Sequence, residues 1–167
     1  FADAVKSCPA DERARRLHAD ALWRQGEAAK AIDEMQEAAR LSGGEGADAL
    51  AGGPSRDWLD GGVGVDTLTG AAGTDILIGG PGNDMLDAGA DADELDGGDG
   101  DDRLVAGAGD DIVTGGAGDD TIAGDAGADR IGGGDGDDTF VGGAGGDKIA
   151  GEAGNGSATG GEGEGSI

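Results

Sequence analysis

The chain is short of almost everything that builds an ordinary globular core. Among 167 residues there are two Trp, two Phe and no Tyr, so no large aromatic interior can form. A single cysteine, Cys8, excludes an internal disulfide, and cysteine usage gives no information on redox compartment. The one histidine, His18, has no second ligand or acid in an obvious pairing and reads as a packing or surface residue. No HExxH, GxSxG or P-loop motif occurs, which leaves no candidate for zinc-dependent, serine-based or phosphoryl-transfer catalysis. No apolar run approaches bilayer-spanning length, and the first residues lack a signal-peptide pattern. The chain opens at Phe1 without an initiator Met and is expected to be processed or a fragment.

Positive charge is also scarce, and unevenly so. Residues 1–42 carry eight acidic and seven basic side chains, a net of −1, whereas residues 43–167 carry 28 acidic and four basic, a net of −24. Two different physical objects therefore meet near Ser42. The acidic part repels nucleic acid and anionic membranes, and its natural partners are cations.

What the chain has in abundance is glycine, 40 residues in all. From Gly43 to Thr159 they fall into thirteen consecutive nonads without an insertion. Position six is Asp in twelve of the thirteen, failing only at Gly156, and position eight is apolar throughout, from Leu50 and Leu59 to Ile149 and Ala158. A disordered glycine-rich linker owes nothing to register, so this pattern specifies a structure.

Glycine at positions one, two and four permits positive φ and close backbone approach, so six residues can form a tight turn and three remain for a short strand. Position eight, flanked by outward-facing positions seven and nine, points inside. One nonad gives half a coil and two close it. The expected fold is mainly β: a parallel β-roll, that is, a right-handed β-solenoid with two nonads per coil and turns stacked along both edges.

Stacked turns bring carboxylates from neighbouring coils together with backbone carbonyls, an all-oxygen cage suited to a hard cation of flexible geometry. Zinc, copper and iron would want His or Cys, which the nonads lack, and Mg²⁺ keeps its waters and a stricter octahedron. Ca²⁺ is the cation the pattern fits. Recurring Asp pairs such as Asp137–Asp138 point to repeated metal ligation and not to a hydrolytic carboxylate dyad. The candidate metal ligands are Asp48, Asp66, Asp84, Asp102, Asp120 and Asp138 on one edge, and Asp57, Asp75, Asp93, Asp111, Asp129 and Asp147 on the other.

Sorting alternate nonads exposes an eighteen-residue superperiod. The first edge reads GGEGAD, GGVGVD, GGPGND, GGDGDD, GGAGDD and GGDGDD, without a lapse; the second reads GGPSRD, GAAGTD, AGADAD, AGAGDD, GDAGAD and GGAGGD, of which only the last is intact. Six stacked turns enclose five gaps, so about five Ca²⁺ ions are expected on the first edge and up to five weaker ones on the second. Ten ions would bring about +20 against the −24 of this segment, and without them the segment should be unfolded.

These GGxGxD nonads resemble the RTX family of haemolysin-type calcium-binding repeats. The resemblance implies that carbonyls from positions two and four of one turn, and one and three of the next, join two aspartates around each ion. It implies a module of an exported bacterial protein, unfolded at low cytosolic calcium and folded outside the cell after secretion by a type I route. It also implies no enzyme here, since family members carry catalysis on separate domains. An adhesion protein using the roll as a rigid spacer is the alternative. An ice-binding array would need an unbroken Thr surface, which Arg103 and Asp87 interrupt.

Residues 1–42 read as a small α-helical hairpin broken at Gly26, ending at Leu41 and capping the open end of the roll. Ala19, Leu22, Gly26, Ala31, Met35 and Ala38 resemble the tetratricopeptide repeat, with Phe1, Ala4 and Pro9 as the tail of a preceding unit. The resemblance implies a peptide or protein partner for this segment and, because such units need about three copies, a chain cut from a longer array. The expected organisation is thus a hairpin over 1–42, a roll over 43–159, and a disordered tail or further repeat over 160–167.

Overall fold

The computed structural model describes residues 40–151, 153, 154 and 156–159. They form fourteen short strands: β1 Arg40–Glu45, β2 Ala49–Gly53, β3 Trp58–Val63, β4 Thr67–Ala72, β5 Ile76–Pro81, β6 Met85–Ala90, β7 Glu94–Asp99, β8 Arg103–Ala108, β9 Ile112–Ala117, β10 Thr121–Ala126, β11 Arg130–Asp135, β12 Thr139–Ala144, β13 Lys148–Ala150 and β14 Ser157–Thr159. The odd strands make one seven-stranded sheet and the even strands another, each in chain order along the axis. All pairing between strands is parallel. Its register is eighteen residues, as in Leu59↔Leu77 and Leu104↔Ile122. Two nonads per coil is thereby confirmed, and the fold is a parallel β-solenoid of about seven coils.

Position eight drives the folding. Leu59, Leu68, Leu77, Leu86, Leu104 and Ile122 are fully buried in one continuous core, while Leu41 and Ile149 at the two ends retain 8% and 9% exposure. Burying a Leu or Ile side chain contributes about 1.5–3 kcal/mol, and each coil adds two such residues. Phe140 is the one aromatic in this core and is 1% exposed.

Two expectations need correction. Full-length strands run six residues rather than three, because positions one to three of each nonad continue the parallel ladder before the chain turns. The roll also begins earlier than Gly43: Arg40, Leu41 and Ser42 lie in β1, paired with Trp58, Leu59 and Asp60, and the Arg40 guanidinium stacks 3.3 Å from the centroid of the Trp58 ring. A helix ending at Leu41 is therefore excluded. The rest of the expected hairpin, residues 1–39, and the tail 160–167 lie outside the described residues, as do the positions that carry the tetratricopeptide resemblance. No helix among the described residues is long and apolar enough to cross a membrane.

Candidate metal centre

Each turn occupies positions four to six, and position six places its aspartate side chain inward. The structure assembles the twelve predicted aspartates into two ladders, one per edge. Asp48, at the N-terminal end, is half-buried. The eleven others are no more than 5% exposed.

In every step of a ladder the backbone N–H of one aspartate donates to Oδ1 of the aspartate one coil further on. The distances are 2.7 Å for Asp48 to Asp66 and Asp84 to Asp102, and 2.8 Å for Asp66 to Asp84 and Asp102 to Asp120. The second edge repeats this, from 2.7 Å for Asp57 to Asp75 up to 3.1 Å for Asp129 to Asp147. For most of these aspartates Oδ2 has no donor. On the first edge Oδ2 of Asp48, Asp66, Asp84, Asp102 and Asp120, and on the second Oδ2 of Asp75, Asp93, Asp111 and Asp129, are buried without a hydrogen-bond partner. A buried carboxylate oxygen with no donor is costly unless a cation meets it.

The glycines show what else faces these oxygens. At position one a Cβ would collide with the nonad's own carboxylate and with the position-one carbonyl of the next coil; at Gly61 it would stand 2.6 Å from Asp66 Oδ2 and 2.7 Å from Gly79 O. On the first edge the φ angle at positions two and four is positive, as in 99° at Gly62 and 153° at Gly64, and a Cβ there would strike the Gly44 and Gly46 carbonyls of the coil below. Position three of the upper coil turns its carbonyl downward as well, accepting from a position-four N–H, as in Gly46 N to Val63 O at 2.7 Å. Each gap between coils is thus lined by carboxylate and carbonyl oxygens, and along the whole first edge glycine keeps it free of side-chain carbon.

Glycine therefore serves both purposes the sequence suggested, positive φ and close approach, but at different positions. Position two takes positive φ in every described nonad and position four does so along the first edge, while position one needs only room. Ala88 and Ala106, at position one, consequently sit at ordinary φ, whereas Ala71, Asp91 and Asp125 hold φ of 89°, 80° and 67°. All three lie on the second edge.

Electrostatics separates these aspartates from ordinary surface carboxylates. Burial, reinforced by the neighbouring Asp120 and Asp84 carboxylates and only partly opposed by the Asp84 N–H, pushes Asp102 up to about 7 from an ordinary 3.8. Burial likewise raises Asp75, Asp93, Asp120 and Asp129 to about 6. Asp66, Asp84 and Asp111 are raised for the same reason. The arrangement concentrates negative charge that the fold alone does not neutralise.

Sequence reasoning missed the role of position five. Its side chains point outward on the first edge, where Asn83, Asp101 and Asp119 each accept the backbone N–H of the residue eighteen further on, at 3.2, 3.0 and 2.8 Å. On the second edge Asp110 does the same for Ala128 at 2.9 Å. The Asp–Asp pairs are thus divided: position six faces the gap and position five ties turn to turn outside it. The recurring Asn or Asp before the inward aspartate was the available signal.

Among the described residues no three His, Cys, Asp or Glu side chains gather at one point. A gap offers two carboxylates plus carbonyls, a donor set for a hard cation and not for zinc. No curated protein matches the chain. The RTX calcium-binding nonapeptide repeat matches in four copies, over residues 42–77, 69–104, 96–131 and 132–167. That span covers the roll from Ser42 onward, its nonads supply the oxygen-lined gaps, and calcium binding is what such repeats imply: the chain belongs to the RTX calcium-binding nonapeptide repeat family.

Proposed function

We propose that the roll is a calcium-driven folding module of a secreted bacterial protein. The observation that carries this reading is the row of buried Oδ2 atoms without donors, set in a segment of net charge −24. Bound Ca²⁺ supplies the missing positive charge. The position-six aspartates of adjacent coils would hold it, joined by carbonyls of positions two and four below and one and three above. At low calcium the like charges and small apolar side chains leave the folded state unsupported; at the millimolar calcium outside a cell the same chain folds. Export of an unfolded chain by a type I route fits that difference. Catalysis by the parent protein, on this reading, belongs to other domains.

Circular dichroism of the full chain in chelator, titrated with Ca²⁺ and in parallel with Mg²⁺, tests the proposal. The β signal is expected to rise cooperatively with Ca²⁺ at about 10⁻⁴ to 10⁻³ M, the range of extracellular calcium modules, and not at matched Mg²⁺. A roll fully formed in excess chelator at neutral pH would overturn it.

A further inference from the structure

The two edges are built from the same backbone but not from the same gaps. Three positions decide whether carbon intrudes: position one of the lower coil, whose Cβ would meet Oδ2 and the upper carbonyl, and positions two and four of the upper coil, whose Cβ would meet the lower carbonyls. On the first edge all five gaps between paired aspartates have glycine at all three. The gap between Asp84 and Asp102, for example, is bounded by Gly79, Gly98 and Gly100.

On the second edge four of the five gaps fail. The register pairs Gly53 with Ala71, so the Ala71 methyl covers a carbonyl in the gap between Asp57 and Asp75. Asp91, at φ 80°, does so between Asp75 and Asp93; its carboxylate folds down onto the Gly73 N–H at 3.2 Å. Ala88 places a fully buried methyl between Asp93 and Asp111. Ala106 does the same between Asp111 and Asp129, where Asp125 at φ 67° adds a second obstruction above Gly107. Only the last gap, between Asp129 and Asp147, is clear, with Gly124, Gly143 and Gly145 at the three positions.

We infer that this chain takes six Ca²⁺ ions, five along the first edge and one at the C-terminal end of the second, and that side-chain carbon closes the other four gaps. The inference rests on the calcium reading above and refines it. The closed gaps still hold the turns together through the aspartate ladder, as in Asp93 N to Asp111 Oδ1 at 2.8 Å. The second edge becomes a largely metal-independent seam and the first edge the calcium-responsive one.

Native mass spectrometry of the full chain at saturating Ca²⁺, with calorimetry as a second count, tests this. The expected plateau is six ions. Asp147→Ala should bind five, Asp102→Ala four because it borders two open gaps, and Asp93→Ala six because both its gaps are closed. Ala88→Gly should bind seven, a gain that a misfolded variant cannot imitate. A plateau of ten, a loss of ions on Asp93→Ala, or no gain on Ala88→Gly would overturn the inference while leaving calcium binding intact. No bound calcium at all would overturn the calcium reading itself.

Discussion

Shortening one core side chain measures how many ions are tied to folding. Leu104 in β8 is fully buried and stacks between Leu86 and Ile122 in the even sheet. Leu104→Ala removes three carbons from a site with no exposure, which costs about 2–5 kcal/mol in well-packed cores. If folding and the uptake of six ions are one cooperative event, that cost is shared among six binding terms of RT ln[Ca²⁺] each. A loss of about 3 kcal/mol then raises the calcium midpoint only about twofold, and a loss of about 5 kcal/mol about fourfold. If a single ion controlled folding, the same 3 kcal/mol would move the midpoint more than about a hundredfold. The assay is the circular dichroism midpoint of wild type and variant in the same calcium series. A shift beyond about tenfold would show that few ions are coupled to folding, and no shift would show that this core column does not support the roll.

Two further outcomes follow from the same geometry. Asp102, raised to about 7, and Asp75, Asp93, Asp120 and Asp129, raised to about 6 from an ordinary 3.8, favour the protonated form in the folded roll; their support for the calcium-free fold is complete below about pH 4 and is lost as pH rises through 6 to 7. In chelator the β signal should therefore be larger at pH 4 than at pH 8, with the order reversed in calcium, and a calcium-free roll more ordered at pH 8 would refute the assignment. Gly98→Ala forces a side chain into φ 107° against the Gly80 carbonyl, at a cost of about 1–3 kcal/mol, whereas Gly132→Ala on the outer face of β11 meets nothing within 4 Å. Urea unfolding in saturating calcium should separate the two by at least about 1 kcal/mol, and equal stabilities would show that the turn conformation carries no strain.

Much of this architecture is written plainly in the sequence. The nine-residue spacing of Asp and Leu gives the inward positions, and the alternation of intact and lapsed glycine turns gives the eighteen-residue coil before any coordinates. The limits of β1 were harder to read, because the Ala- and Glu-rich stretch before Leu41 has helical spacing; yet Leu41 stands nine residues before Leu50, and that step places it at position eight of the roll. Strand length was underestimated because a segment opening on glycine at positions one and two looks like turn material, while in a stacked coil the N–H and C=O groups of positions one to three are held by the equivalent residues eighteen away. The purpose of glycine at position one was also hidden. Nothing in a single nonad reveals that the carboxylate five residues on, together with a carbonyl of the next coil, fills the space where a methyl would go.

The eighteen-residue register also restricts how such a chain can lengthen or shorten. Adding or losing one nonad would leave every strand with its apolar position eight and would cost the core little, but it would transfer each later turn to the opposite rim. Each rim would then carry glycine turns on one side of the change and lapsed turns such as those at Ala88 and Ala106 on the other, and no side would keep an uninterrupted file of open gaps. Only insertions of whole coils preserve the division of labour, so the heritable unit of this protein is the pair of nonads, and the two rims can diverge independently only while that pair is never split.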